Sequence, residues 1–312
     1  MKFFKNVFVT YSGFCLNSRG LVKECHHDFP NQYSDYLKEA AKYYYSVQNN
    51  PDDLIILDSD NNYLVIHHPW FNYYHWICES IFRLWIVRRR LQELILLLPV
   101  SYKYADFIMG SLEPFKIKSI HYIPHEKSLM VKNICLPQIK PICDSYNRAH
   151  VRQIRDFYQR YVLRERKIPV VRIEKLYVTR QLAGRRKVIN EEEIIAILNK
   201  YGFTVFYPEH FSFLDQVAIF CNVRYLVAQH GSALTNLLFM SENTSVLELH
   251  KNKTHELNHP SPLFWYMAET LGINYYHQSC EILEEQETYF EGDYIVDVNL
   301  FESNLTKMLS NI

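Results

Sequence analysis

The apolar positions of this 312-residue chain change rhythm near its middle. In the second half, short apolar runs alternate with stretches of helical period. Strand Leu176-Tyr177-Val178-Thr179 precedes helix 190–200, and strand 203–207 precedes helix 212–221. Strand 225–228 precedes helix 233–240, strand 245–249 precedes helix 261–271, and strand 273–277 closes the series. Such strict βαβ alternation predicts a parallel sheet with helices on both faces. The first half is less regular. Residues 3–10 read as a strand, and 33–47 as a helix with Tyr36, Leu37, Ala40, Ala41 and Tyr44 at helical spacing. Leu54-Ile55-Ile56-Leu57 and Tyr63-Leu64-Val65-Ile66 are two β runs around Asp58-Ser59-Asp60-Asn61-Asn62, whose composition suits a hairpin turn. A long helix over 73–91 follows, then strand 94–98, a short helix near 103–111, β runs near 117–123 and 129–136, and helix 146–166. Pro137 and Pro141, and then Lys167-Ile168-Pro169, read as boundary signals. The pattern predicts an α/β protein with domains 1–166 and 167–297, and an amphipathic helix from 298 that can fold back on the first half.

Composition narrows the class. With 48% hydrophobic and 22% charged residues the chain is globular. Its 34 Lys and Arg balance 34 Asp and Glu, so no basic field argues for nucleic acid. Seven cysteines without a C-x-x-C pair suggest reduced, mostly buried thiols in a reducing compartment, and no zinc site. The amino terminus carries no apolar stretch of signal-peptide length, and the longest apolar run, Leu94 to Val100, is too short to span a bilayer. Arg88-Arg89-Arg90 is either a solvated face or a contact for anionic lipid.

The stretch that carries chemistry runs from Val227 to Phe239. An apolar strand stops at His230-Gly231-Ser232, and a helix starts at once, with Ser232 as the expected N-cap. A glycine corner feeding a helix start exposes backbone N–H groups and the positive end of the helix dipole, which is a seat for phosphate. In an open parallel sheet, ligands bind beyond the carboxyl ends of the strands. Those ends supply Arg180, with the basic loop through Arg186, then Glu209-His210, then His230-Gly231-Ser232, with the backbone through Ala233, Thr235 and Asn236 behind it, and then Glu248-Leu249-His250, with Glu248 as a partner for ribose hydroxyls. Arginine suits this work because its planar fork grips phosphate oxygens in pairs.

In the first half, Asn72 is a plausible cap for a helix that lines up His75, Glu79 and Arg83 at i, i+4 and i+8. The pair His75 and Glu79 can act as a general base, or as a base and its orienter. Equally, Glu79 and Arg83 can form an ordinary helix ion pair. Asp58 and Asp60 resemble a metal-holding D-x-D, although their setting is that of a turn.

Together these residues resemble glycosyltransferase family 61. The resemblance rests on Asn72-x-x-His75-Trp76-x-x-Glu79, on Tyr177-Val178-Thr179-Arg180 with Ala183, Arg186 and Asn190-Glu191, on His230-Gly231-Ser232-Ala233-Leu234-Thr235-Asn236 with Phe239, and on Ser245-Val246-Leu247-Glu248. It spans about residues 63–250. It implies a GT-B architecture, two Rossmann-like domains facing an interdomain cleft, with an acceptor-side first domain and the nucleotide sugar bound by the second. It further implies inverting transfer, from a UDP-linked donor such as UDP-N-acetylglucosamine or a UDP-pentose, to a glycan or glycolipid hydroxyl. No obligatory metal or other cofactor is expected. His75 and Glu79 become the catalytic candidates; Arg180, Arg186 and the 230–236 loop become the diphosphate candidates. The chain is similar to bacterial members assigned to capsule or surface polysaccharide synthesis, which implies a cytoplasmic enzyme and leaves contact with the inner face of the membrane open. Two other readings stand beside this one: a metal-dependent transferase using Asp58 and Asp60, and a non-catalytic sugar-nucleotide or carbohydrate binder.

Overall fold

The computed structural model of the chain describes residues 1–143, 145–167, 172–252, 260–282 and 292–310. Two compact units divide at a different point from the expected one: Met1–Cys143 and Asp144–Ile312. The helix Arg148–Arg160, assigned by the proline signals to the first half, groups with the second unit, where it packs on the helices Phe213–Phe220 and Leu263–Leu271. Ile168 and Pro169 of the expected boundary lie outside the described residues.

The first unit is built on a mixed sheet. Its strands are β1 (Lys2–Val9), β2 (Cys15–Asn17), β3 (Gly20–Leu21), β4 (Leu54–Leu57), β5 (Asn62–Val65), β6 (Leu94–Pro99), β7 (Ser119–Ile123) and β8 (Ser128–Leu136), in the order β3-β2-β1-β8-β5-β6-β7, with β4 also on β8. Strands β5, β6, β7 and β8 pair parallel, whereas β1 pairs antiparallel with both β8 and β2. The expected hairpin at Asp58–Asn62 does not form. Both β4 and β5 run parallel to β8, with Leu57 opposite Val131 and Tyr63 opposite Ile134, so the intervening residues bulge out of one continuing line. Val7, Val9, Val65, Leu97, Val131 and Ile134 form the core, and the helix Tyr33–Asn49 sets Tyr36 and Ala40 against it. That helix buries a narrower stripe than its period suggested, since Leu37 and Tyr44 are exposed.

The second unit follows the alternation closely. Strands β9 (Lys175–Val178), β10 (Thr204–Phe206), β11 (Tyr225–Gln229), β12 (Ser245–Lys251) and β13 (Asn274–Ile282) are parallel in the order β10-β9-β11-β12-β13, and a short β14 (Tyr294–Ile295) closes the edge antiparallel. In chain sequence that order is 2-1-3-4-5, the doubly wound pattern, and its topological switch lies between β9 and β11. Ile194, Ile197 and Leu198 of one helix, and Phe301, Leu305 and Met308 of the last, pack on Tyr177, Val227, Leu247 and Leu249. The terminal helix Val298–Ser310 therefore covers the second unit's own sheet, with an apolar face already matched to it. Because side chains alternate along a strand, burying Leu247 and Leu249 there turns Glu248 and His250 to the opposite face. Among the described residues no helix is long and apolar enough to cross a membrane.

Candidate active site

Helix formation at Asn72 creates the candidate site of the first unit. The Asn72 side chain accepts the His75 N–H at 3.1 Å, capping the helix as its composition suggests. The expected single helix over 73–91 is instead segmented: an α-turn at Tyr73–His75, a wider π-turn at Trp76–Ser80, an α-helix at Ile81–Val87, and a 3-10 stretch at Arg88–Glu93. Such π-turns recur at functional sites.

Glu79 sits in that wide turn with its side chain wholly buried. His75 Nδ1 lies 2.8 Å from Glu79 Oε2, and His27 Nε2 is 3.1 Å from both carboxylate oxygens. His68 Nε2 stands 2.9 Å from Oε2, and the Cys143 thiol lies 3.4 Å from Oε1. Burial works to raise the Glu79 carboxyl, but the hydrogen bonds from His27, His68 and His75 outweigh it and hold the group well below the usual carboxylate range. Burial pushes the His68 imidazole down to about 4 despite that carboxylate, so it is neutral at physiological pH. His75 alone of the three histidines keeps a partly exposed side chain, at 13%. With Nδ1 on Glu79, its Nε2 is left for another partner.

Arg83 does not pair with Glu79 as the i, i+4 spacing suggested. It is fully buried; Nη1 donates to the Ile66 carbonyl and Nη2 to the Glu24 carbonyl at 2.9 Å. Buried carbonyls need donors, and Arg83 satisfies two of them. Burial lowers it to about 10, which leaves it charged. Asp58 and Asp60 are 82% and 95% exposed and lie against the Lys132 ammonium, at 3.8 and 3.1 Å. Both carboxylates face the Lys132 ammonium, so a cationic side chain stands where a D-x-D clamp would hold its metal.

The second unit carries a candidate site of its own at the switch between β9 and β11. Glu191 is the pin beneath it: the carboxylate accepts from Thr179 Oγ1 at 2.6 Å, Tyr177 at 2.7 Å and Gln229 Nε2 at 2.8 Å, tying both strand ends to one helix start. Beyond those ends Arg180 lies across Gly231. A Cβ built there would stand 2.2 Å from Arg180 Nη1. The backbone at Gly231 is extended, with φ 163°, so glycine is needed for the arginine's approach and not for a turn. Burial lowers the Arg180 guanidinium somewhat, and its Nε has no hydrogen-bond partner among the described residues.

The expected α-helix after β11 is a 3-10 helix, Ser232–Phe239, and the Ser232 side chain does not cap it. His230, Ser232 and Ala233 reach the surface in part, while Thr235 and Asn236 are fully buried behind them, Asn236 donating to Gln216 Oε1 at 2.9 Å. Glu248, expected to meet ribose hydroxyls directly, is also fully buried. Its oxygens hold the His230 Nδ1 and the Tyr275 hydroxyl, so it sits behind His230. Burial, with Arg186 and Arg180 nearby, pushes His230 down to about 3, and burial raises Glu248. His250 stacks on His230 with ring centroids 3.7 Å apart.

Among the described residues, two groups bring one ligand atom per residue within 4.8 Å of all the others: His27, His75, Glu79 and Cys143 in the first unit, and His230, Glu248 and His250 in the second. The first is a donor set of the kind that zinc accepts. The second lies beside Arg180 and Arg186, whose charge opposes a cation. All seven cysteines are free thiols, five of them buried.

Sequence reasoning missed His27 and His68, because neither shares an element with Glu79. The available signal was the pair of doublets His26-His27 and His67-His68.

A segment of 87 residues is 34% identical to the EGF domain-specific O-linked N-acetylglucosamine transferase of Drosophila melanogaster, covering 27% of this chain and 16% of that protein. The chain thus matches only a small part of that relative's length. The model of the family Glycosyltransferase 61 matches residues 73–247, more than half of the chain, a span that takes in His75, Glu79, Arg180, Arg186 and the 230–236 loop. The chain belongs to glycosyltransferase family 61.

Proposed function

We propose that this glycosyltransferase moves a sugar from a UDP-linked donor to a hydroxyl of a glycan or glycolipid, with inversion and without an obligatory metal. The observation that carries the reading is the His75–Glu79 dyad: a partly exposed imidazole held at 2.8 Å by a wholly buried carboxylate. Of the two candidates, His75 is the base. Glu79 is a poor proton acceptor, because its carboxyl is held low and neighbouring donors already use both oxygens. Its role is to fix the imidazole tautomer and stabilise the imidazolium that forms. His75 Nε2 takes the acceptor hydroxyl's proton as that oxygen attacks the anomeric carbon, and the departing diphosphate is stabilised by Arg180, Arg186 and the backbone after Gly231. His230 contacts the diphosphate as a neutral imidazole, with Glu248 setting its orientation.

The GT-B architecture belongs to the same proposal; what supports it is that each unit is an α/β body with parallel strands of its own. N-acetylglucosamine is the first sugar to test, since the Drosophila relative carries it in its name, and UDP-pentoses come next. A place in surface polysaccharide synthesis on the cytoplasmic side follows from the resemblance alone. The test is a thermal-shift screen of nucleotide sugars, followed by turnover with and without EDTA. Stabilisation by UDP-sugars and EDTA-resistant turnover are expected. Binding without turnover across an acceptor panel overturns the catalytic reading, and activity lost in EDTA and restored by a divalent cation overturns the metal-free one.

A further inference from the structure

Two loops of the first unit reach Glu79, and each does the same two things. One supplies His27 and, two residues later, Phe29; the other supplies His68 and, two residues later, Trp70. The histidines turn inward to the carboxylate. The aromatic rings form a layer beside them. Trp70 stacks on His27 with centroids 3.9 Å apart and planes 27° apart. Phe29 lies nearly parallel to His27 at 5.5 Å and 10°, and to Trp70 at 6.0 Å and 20°. The Trp70 ring then meets the edge of His75 at 4.8 Å. His27 is buried, Trp70 is partly exposed and Phe29 is 38% exposed.

Large apolar rings left in reach of solvent need a reason when they adjoin a built polar site. Sugar rings present two kinds of surface, an apolar face of C–H groups and a polar rim of hydroxyls. Parallel aromatic rings suit the first, and an imidazole at their edge suits the second. We propose that Trp70 and Phe29 form a stacking shelf for the pyranose ring of the acceptor, whose hydroxyl is thereby held at His75. The inference rests on the reading of His75 as the base. It adds the acceptor class: a sugar ring with an accessible apolar face, rather than a peptide or lipid hydroxyl.

Trp70 also covers His27, so its loss could act through the Glu79 cluster instead. A split between KM and kcat separates the two roles. The full-length protein and its Trp70→Ala, Trp70→Phe and Phe29→Ala variants are assayed with methyl and octyl pyranosides as acceptors at saturating nucleotide sugar. The shelf predicts that Trp70→Ala raises acceptor KM on the order of tenfold while kcat at saturating acceptor stays within about twofold. Trp70→Phe restores most of the affinity, and Phe29→Ala shows a smaller shift of the same kind. If Trp70→Ala melts far below the parent, Trp70→Leu replaces it, filling the space without a π face. An unchanged acceptor KM in these variants of an active enzyme overturns the shelf alone, as does a fall in kcat with KM preserved. A parent protein that turns over no nucleotide sugar with any acceptor removes the base reading and the shelf with it.

Discussion

Each unit of this protein buries one glutamate among histidines, and the two carboxyls are driven in opposite directions. Glu79 sits where imidazole nitrogens from three separate segments converge, and their hydrogen bonds hold its carboxyl well below the ordinary range against the effect of burial. Glu248 sits on a central strand, with His230 and Tyr275 on its oxygens, and there burial prevails and raises it. Positive charge explains part of the contrast. His230 stands near Arg186 and Arg180, which help burial to keep it neutral, so it offers Glu248 no cation. Environments that push two like groups apart mark a division of labour. On the proposed function, the first carboxylate is charged to support a proton-accepting histidine, and the second is a polar brace beneath a neutral histidine of the proposed diphosphate site.

The largest effect that breaks this comparison is at the dyad. His75→Ala and Glu79→Gln are both expected to slow turnover by about 10²–10⁴-fold, the usual contribution of a general base and its support. UDP-sugar binding, measured by calorimetry, stays near that of the parent, because its contacts belong to the other unit. Arg83→Ala is expected to lower stability first, because this buried arginine holds the Ile66 and Glu24 carbonyls. Near-normal turnover in both dyad variants overturns the assignment.

A smaller effect sharpens the second site. Arg180→Ala is expected to weaken donor binding by about 10–100-fold, the range of a lost charge-assisted contact. Gly231→Ala reaches a similar end differently, since the new methyl occupies the guanidinium's place while the extended backbone accepts alanine without strain. The two substitutions should therefore not add. If Gly231→Ala weakens binding as much in the Arg180→Ala background as in the parent, the close approach is not what glycine serves there.

How much of this was legible in the sequence differs between the units for a physical reason. Parallel strands buried on both faces read as short apolar runs, so β9 to β13 and their helices stood out, along with Arg180 and Gly231 at the strand ends. The first sheet hides its order in long-range pairing. Nothing local reveals that β1 lies antiparallel on β8, or that β4 and β5 share one neighbour. The same limit applies at the site. His75 and Glu79 are helix neighbours and visible as such, whereas His27 and His68 join them only through the fold. Burial was the other hidden quantity: Thr235, Asn236 and Glu248 looked like surface polar groups beside a loop and are fully enclosed.

The smallest effect tests the contrast in stability alone. A carboxyl raised by folding contributes stability that is present at acid pH and is lost as pH rises through its folded value; a depressed one contributes stability above the ordinary carboxylate range that is lost as pH falls. Glutamine cannot titrate, so each substitution removes one of these slopes. Glu248→Gln keeps a partner for His230 Nδ1 and for the Tyr275 hydroxyl, and the attraction of its charge for His250 and His277 is outweighed by burial. Relative to the parent, its melting temperature should hold or rise as pH goes from about 5 to about 8. Glu79→Gln should lie below the parent by a constant amount across that window and close the gap only as pH falls under the ordinary carboxylate range, because the charge its histidines stabilise is gone. Differences of about 2–4 °C are expected for each kcal/mol in a unit of this size. Paired melting curves at several pH values measure both at once, and pH dependences of the same sign would mean that folding does not shift the two carboxyls in opposite directions.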